Sequence, residues 1–419
     1  MPAINCYTFS LKFKHYYIMR YLIPIAILFV FTFCENPADS TENNVKEDNN
    51  TISVDSSSEI IEDVIEPVKI NIDSFQTGFA NLISGLDDSY FDESVIDTSY
   101  WNAYAENTNK SFSKIKKDRL DIMTSWFKKE TQNKIEDTSL LFYPFSGADF
   151  LHAYHLYPNA NEIIMLAKES IGEIPNFNTM KKKEINEYLE GVDFSLRDIY
   201  RRSYFITKNM SSDIKKSPIK GLLPLFYWFI ARTDHQIVEK YDVYINENGN
   251  KRVKDSSFIK NKNIISGVEF KIMLNGTNNV KTLTYFDCDI SNDGFEKNPE
   301  FKIYLDNKRP SNTFIKSASY LLHYSTFSEI RDIIISSSNF IIEDDTGIPF
   351  KYFDLNNWDV SLYGVYVKPI KDFSKNRFQT DLEKAYNNDK YFAGDLPFSL
   401  GYHWGTELQN QMTYKKKME

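Results

Sequence analysis

Cysteine is scarce in this sequence, which has three in 419 residues. They are Cys6, Cys34 and Cys288, and the first two lie in or beside the N-terminal apolar stretch. So few thiols can build neither a disulfide framework nor a four-thiolate metal site. This excludes the small disulfide-rich class and the zinc-ribbon class, and we expect no metal centre.

Positive net charge is also missing. The chain has 49 Lys and Arg residues against 58 Asp and Glu residues, for a formal net charge of -9. A general nucleic-acid-binding protein carries a basic face, so we expect no nucleic-acid partner. Glycine is limited to 15 residues, but aromatic side chains are abundant enough for a sizeable core.

Basic residues followed by a short apolar run open the chain, which is the pattern of an export signal. The run covers residues 21–33 and is shorter than the roughly 20 residues that a membrane-spanning helix needs. We assign residues 1–34 to the signal, with either Met1 or Met19 as the first residue. An uncleaved signal anchor is the alternative, and both interpretations place the remainder outside the cytoplasm.

Cys34 ends the apolar run and a polar segment follows it. This junction resembles the signal of bacterial lipoproteins, in which the cysteine is lipidated and becomes the mature N-terminus. The resemblance implies a lipid anchor at Cys34 and a location in the cell envelope of a Gram-negative bacterium. Phe33 departs from the small residue that usually precedes such a cysteine. Residues 35–68 are acidic and poor in large apolar side chains, which predicts a disordered tether.

Helix and strand patterns begin after the tether. Apolar residues at helical spacing over 72–85 and 113–131 predict a helical N-terminal layer, assigned to residues 69–132. Strand and helix patterns alternate over residues 133–411. They predict a Rossmann-like α/β domain of three layers, with a mostly parallel sheet and an antiparallel C-terminal hairpin. Residues 412–419 are assigned to a polar tail.

The most informative stretch runs from Leu140 to Lys168 and predicts a strand, a tight turn, a helix and a second strand. Ser146, Gly147 and Asp149 occupy the turn. Backbone N–H groups at such a turn can hold an anion or a ribose-bearing ligand. In the alternative interpretation, Ser146 or Asp149 only caps the helix, a contribution of about 1 kcal/mol.

Polar residues that follow the predicted strands are the other site candidates, because ligands bind beyond the carboxyl ends of parallel strands. Glu169 follows the second strand, where it either accepts hydrogen bonds from ribose hydroxyls or is simply a solvated carboxylate. Asp287 and Asp344 follow two later strands. The candidate ligand-binding residues are therefore Ser146, Gly147, Asp149, Glu169, Asp287 and Asp344.

Other patterns do not reach a recognisable site. His152 and His155 have no companion motif for a metal, and the spacing that starts at Asp287 lacks the glutamate of a calcium loop. Residues 316–323 contain Ser, Lys, Tyr and His, but no nucleophile elbow of the Gly-x-Ser-x-Gly type. Catalytic residues therefore stay unassigned.

Two resemblances follow from these segments. The sequence YPFSGAD at Tyr143–Asp149, with residues 316–320 and 343–347, resembles a family of uncharacterised exported bacterial lipoproteins that carry a YPFSGxDF-type motif. That resemblance covers about residues 72–402 and implies no activity. More distantly, the order of elements resembles a class I methyltransferase Rossmann core. The glycine-rich turn of such cores is reduced here to Ser146-Gly147.

These observations predict a membrane-anchored envelope lipoprotein whose Rossmann-like domain has a binding or structural role. The expected partners are the membrane, through lipidated Cys34, and a small-molecule ligand whose identity the sequence does not give. The alternative is an enzyme that uses the rim at the strand ends, either methyltransferase-like or a hydrolase.

The turn after the first strand distinguishes the two functions. A cavity beside it, with Asp149 and Glu169 converging there, would favour the enzyme. A turn filled by Tyr143, Phe145 or Phe150 would favour a binding role.

Overall fold

The computed structural model describes residues 70–135, 140–204, 218–258, 264–373, 376–405 and 408–417. The predicted signal with Cys34, and the predicted tether, lie outside the described residues. Residues Pro67–Glu419 form one compact unit, so the N-terminal helices and the sheet belong together. The fold is mixed α/β, and about 41% of the described residues are helical.

In the described part of the chain, one sheet of 11 strands organises this unit. The strands are β1 (Leu140–Pro144), β2 (Glu162–Ala167), β3 (His235–Ile245), β4 (Lys251–Val253), β5 (Ser266–Leu274), β6 (Val280–Asp287), β7 (Ser311–Ile315), β8 (Ser338–Glu343), β9 (Trp358–Gly364), β10 (Phe392–Gly394) and β11 (Asn410–Lys416). Their spatial order is β10-β9-β11-β8-β7-β1-β2-β6-β5-β3-β4. β1 therefore lies in the middle of the sheet.

Parallel pairing is confined to the central strands β6-β2-β1-β7-β8 and to the β9-β10 pair. On one flank β5, β3 and β4 add antiparallel strands, and on the other flank β11 runs antiparallel between β8 and β9. The predicted parallel pairing is therefore right for the centre and wrong for the flank of β5, β3 and β4, whereas antiparallel pairing at the C-terminal end was expected. Hydrophobic alternation does not reveal strand direction, which explains the difference.

The C-terminal strands also differ from the prediction. The antiparallel partner of β9 is β11, and residues Phe350–Tyr352, which precede β9, form a 3-10 turn. β11 includes residues 412–416, which the sequence placed in a polar tail. Met412 and Tyr414 are buried, because the strand lies between two others and its backbone groups are paired on both sides.

Helices precede β1, connect β1 to β2 and follow β2 along the chain. They are α1 (Ser74–Ile83), α2 (Thr98–Ile115), α3 (Asp121–Glu130), α4 (Phe150–Leu156), α5 (Lys182–Arg202), α6 (Leu223–Arg232), α7 (Asn292–Lys297), α8 (Pro299–Asp306), α9 (Ser328–Ser337) and α10 (Thr380–Tyr386). Gly191 lies within α5 without interrupting it, since one glycine costs only about 1 kcal/mol in a long amphipathic helix. Among the described helices, none is long and apolar enough to cross a membrane.

The core consists of two hydrophobic clusters, and successive residues of β1 alternate between them. Leu141 and Tyr143 belong to the cluster formed with α1 through α6. Leu140 and Phe142 belong to the cluster formed with α7 through α10. All five residues of β1 are buried, which explains why its sequence is a continuous apolar run.

Candidate functional site

The turn after β1 is tied to the neighbouring strand and to the helix that follows. Phe145 and Gly147 have positive φ angles of 59° and 54°, and the Ser146 N–H donates to the Leu166 carbonyl at 3.0 Å. Asp149 is the N-cap of α4, because its Oδ1 accepts from the His152 N–H at 3.2 Å. The capping interpretation is therefore confirmed for Asp149.

Asp149 also lies at the centre of a buried polar cluster. Its Oδ1 accepts from His152 Nδ1 at 2.7 Å, and its Oδ2 accepts from the Tyr143 hydroxyl at 3.0 Å. The Lys316 ammonium donates to the same Oδ2 and to the Ser203 carbonyl. Asp149, His152 and Lys316 are each at most 2% exposed. The cluster thus joins the turn after β1 to the end of β7 and the end of α5.

The charges in this cluster are mutually satisfied. Burial opposes ionisation of Asp149, but His152 and Lys316 outweigh it and lower the pKa of the carboxyl to about 2. Burial lowers the pKa of His152 to about 3 and also lowers the pKa of Lys316. Both Asp149 oxygens are occupied and Lys316 donates to two acceptors. The arrangement fixes the turn after β1 in place, and it leaves neither Asp149 nor Lys316 ready for proton transfer.

A second strained segment follows β7. Ser317, Ser319 and Tyr320 have φ angles of 51°, 52° and 56°, which cost non-glycine residues roughly 1–2 kcal/mol each. The Ser317 N–H donates to Asp344 Oδ2 at 3.0 Å, and the Tyr320 hydroxyl donates to Asp345 Oδ2 at 2.7 Å. Buried carboxylates beyond the end of β8 therefore maintain this conformation.

Three consecutive buried acids, Glu343, Asp344 and Asp345, end β8 and begin the following turn. Burial, followed by the neighbouring charge of Asp345, raises the pKa of Asp344 to about 6. Burial likewise raises the pKa values of Asp345 and Glu343. Their electrostatics are thus opposite to those of Asp149, whose pKa is lowered.

A cavity of about 470 Å³ lies against both segments, a volume suited to a small molecule. One side, the strand-end wall, consists of residues that follow β1, β2, β6 and β7. The other side, the loop wall, comes from residues outside the sheet: Arg202, Tyr204, Ile370, Asp372, Phe373 and Tyr402. The strand-end wall is where an open parallel sheet binds ligands.

Most of the predicted residues meet at this cavity. Its lining includes Ser146, Gly147, Asp149 and Glu169. Among the described residues that line it, Asp287 and Asp344 are absent, and Asp289 takes the place expected for Asp287. Asp344 instead lies behind the wall, where it accepts the Ser317 N–H.

The loop wall is the part that the sequence did not reveal. The rings of Tyr204 and Tyr402 are 4.8 Å apart with an interplanar angle of 84°, and the ring of Phe373 is 5.1 Å from that of Tyr402. These residues come from three distant segments, none of which carries a motif. Only the general aromatic richness of the chain hinted at such a surface.

The cavity offers binding groups more than reactive ones. Cys288 lines it, but burial raises the pKa of the thiol well above its usual value, which disfavours the reactive thiolate. Within the described part of the chain, no group of three His, Cys, Asp or Glu residues could hold a metal. Tyr143 and Phe145 line the cavity without filling it, and Phe150 is buried in the core. The cavity is open, but Asp149 is occupied by Tyr143, His152 and Lys316, so the condition that favoured an enzyme is met only in part.

Comparisons with protein-family models, with curated proteins and with solved structures find no match to this chain. The chemistry of the site therefore rests on the residues described above.

Proposed function

We propose that this protein is a membrane-anchored lipoprotein of the bacterial envelope whose Rossmann-like domain binds a nucleoside-type small molecule. One observation carries the ligand class: Ser146 and Gly147 after β1, and Glu169 after β2, line the same cavity. Backbone groups of such a turn suit an anionic or ribose-bearing group, and a carboxylate after the second strand suits ribose hydroxyls.

The sheet supports the Rossmann-like interpretation. β1 lies centrally, with parallel β2 and β6 on one side and parallel β7 and β8 on the other. The antiparallel insertion of β11 between β8 and β9 resembles the closing strands of a class I methyltransferase core. Successive residues of β1 pack into two different hydrophobic clusters, one formed with each set of helices. This favours a three-layer arrangement with helices on both faces of the sheet.

The polar cluster around Asp149 supports ligand binding because it orders the strand-end wall before a ligand binds. Because Lys316 links Asp149 to the Ser203 carbonyl, the turn after β1 cannot move independently of β7 and α5. A wall that is ordered before the ligand arrives loses less entropy on binding. Lys168 and Asp289, paired at 2.8 Å at the partly exposed edge of the cavity, add charged groups that a polar ligand can contact.

A transferase is the second candidate, favoured by the separate loop wall. Transfer between two bound molecules needs their close alignment more than it needs a protein nucleophile, and the cavity has two chemically different sides. We place it second because S-adenosylmethionine, the cofactor that the methyltransferase resemblance implies, is cytosolic. A hydrolase is less favoured, since Cys288 is buried and Lys316 is fully engaged.

Ligand-dependent stabilisation tests the nucleoside proposal. Adenosine and S-adenosylmethionine, each titrated in a thermal-unfolding experiment, should raise Tm, because a ligand that binds only the folded state stabilises it. Glu169→Gln should raise the dissociation constant for adenosine, obtained from the titration, about tenfold. Glu173→Gln, at an exposed carboxylate nearby, should leave this constant unchanged. Unchanged Tm with both compounds would refute the proposed ligand class.

Membrane fractionation tests the anchor. Cys34→Ala should release the protein from membranes and prevent lipid attachment, while Cys6→Ala should leave both unchanged. The readouts are flotation with membranes and the mass of the N-terminal peptide. If the Cys34→Ala protein still floats and keeps its full-length N-terminus, the lipoprotein proposal is wrong and the signal-anchor alternative gains support.

A further inference from the structure

We infer that the loop wall binds a cationic amine, preferably a quaternary ammonium group, beside the ligand of the strand-end wall. This inference rests on the proposal that the cavity is a ligand site. It specifies the chemistry of a second molecule, or of a second part of the same molecule. Nothing in the sequence motifs assigns this side of the cavity.

The first argument is the arrangement of the rings. Tyr204 meets Tyr402 nearly at a right angle, with their centroids 4.8 Å apart, and Phe373 lies 5.1 Å from Tyr402 with an interplanar angle of 32°. All three rings line the cavity. The three rings are therefore in contact through Tyr402 and present one aromatic surface to the cavity. Aromatic faces attract cations through the negative potential of the rings, and quaternary ammonium groups are recognised in this way.

The second argument is the fixed position of Tyr402. Its hydroxyl donates to the Ser317 carbonyl at 2.9 Å and contacts the Ser319 hydroxyl at 2.8 Å. The polar end of the side chain is therefore held by the loop after β7. The ring is prearranged in the wall and needs little reordering when a ligand arrives.

The third argument is the distribution of charge. The cations that line the cavity each have an acidic partner: Lys316 contacts Asp149, Lys168 contacts Asp289, and Arg202 Nε lies 3.6 Å from Asp198 Oδ1. Arg202 also lies over the ring of Trp404, at 5.9 Å from its centroid. Exposed Asp372 adds a carboxylate to the loop wall. A cationic ligand would therefore meet aromatic faces and the Asp372 carboxylate, while Lys316 and Lys168 are paired with acids and Arg202 is held near Asp198 and Trp404.

A matched pair of ligands isolates the effect of charge. Choline and 3,3-dimethylbutan-1-ol have nearly the same shape, but only choline is cationic. Isothermal titration with the folded protein, in the presence and absence of adenosine, should show choline binding at least about tenfold more tightly than the neutral alcohol. Equal binding of the two compounds would show an apolar surface only and would overturn the inference.

Variants locate the binding site. Tyr402→Leu and Phe373→Leu should each weaken choline binding about tenfold, whereas Tyr402→Phe, which keeps the ring, should retain most of it. Asp372→Asn should weaken choline binding but leave the neutral alcohol unaffected. Phe194→Leu is the matched control, because Phe194 is an exposed aromatic residue whose ring lies 4.3 Å from Arg197 outside this cavity.

The outcomes separate this inference from the nucleoside proposal. Choline binding that survives both leucine substitutions in a folded protein, judged by circular dichroism, would place the site elsewhere and refute the inference. Adenosine binding without choline binding would also refute it and leave the nucleoside proposal standing. Choline binding without adenosine binding would support the loop wall alone.

Discussion

Two segments that line the same cavity have left-handed backbone conformations, and each is held by a buried aspartate. The pKa values of the two aspartates are shifted in opposite directions. The turn after β1 and the loop after β7 both contain residues with left-handed backbone angles. The first is held by Asp149, whose pKa is lowered to about 2 by its partners. The second is held by Asp344, whose pKa is raised to about 6 by burial and by Asp345. The difference shows that a buried carboxylate can support backbone strain with or without a compensating cation.

The two arrangements respond to pH in different ranges. Asp149 has a folded-state pKa below its unfolded value, so it contributes stability above about pH 4 that is lost as the pH falls towards 2. Asp344 has a folded-state pKa above its unfolded value. Its contribution is complete below about pH 4 and is lost as the pH rises through 6. The loop after β7 is therefore the wall whose stability changes between about pH 4 and pH 6.

Removing the cation from the first segment should have the largest effect. Lys316→Met leaves the Asp149 carboxylate buried without its ammonium partner, which should lower the free energy of unfolding by about 3–5 kcal/mol. Urea unfolding measures this loss. Lys168→Met is the matched control, since its pair with Asp289 is largely exposed and should contribute less than about 1 kcal/mol. Equal losses in the two variants would contradict the assigned role of Lys316.

The pH dependence of stability should be next in size. Between pH 4 and pH 6 the shift of the Asp344 pKa should remove about 2–3 kcal/mol of unfolding free energy. The raised pKa values of Asp345 and Glu343 act in the same direction. Asp344→Asn should make the slope in this range shallower. Urea unfolding at several pH values gives the slopes, and identical slopes in both proteins would refute the role of Asp344.

Removing a glycine from one segment, or introducing one into the other, should have the smallest effect on the free energy of unfolding. Gly147→Ala places a side chain where φ is 54° and should cost about 1 kcal/mol. Ser317→Gly relieves the same strain in the other segment, where φ is 51°, and should be neutral or stabilising by up to about 1 kcal/mol. Thermal unfolding compares them. Destabilisation by Ser317→Gly as large as that by Gly147→Ala would show that the Ser317 side chain, not its strained backbone, matters.

The strand-end wall was largely predictable because its information is local. A continuous apolar run, a Ser-Gly turn and a capping aspartate within Leu140–Lys168 were enough to predict β1, α4 and β2 and to locate Ser146 and Gly147 beside a cavity. The burial partners of Asp149 were not predictable. Lys316 lies far along the chain, and only the fold brings its ammonium to that carboxylate.

The loop wall and the sheet flanks were hidden for related reasons. Tyr204, Phe373 and Tyr402 belong to segments without periodic patterns, so their convergence depends on tertiary packing. The antiparallel extension by β3, β4 and β5 was missed because side-chain alternation is the same in both strand directions. The short connections at residues 246–250 and 275–279 were the signal that could have revealed it, since parallel strands need a longer crossover. The polar residues of β11 were predicted to be a tail because their sequence is not apolar. A strand paired on both sides does not require a wholly apolar sequence.

The position of β11 has a consequence for biosynthesis. A chain leaves the ribosome from its N-terminus, and β11 comes after every other strand that the structure describes. Until residues 410–416 emerge, β8 has an open edge and β9 lacks its bridge to the central strands. The sheet is therefore completed only after every other described strand has been synthesised. Until then, the open edge of β8 would make the incomplete chain a substrate for chaperones.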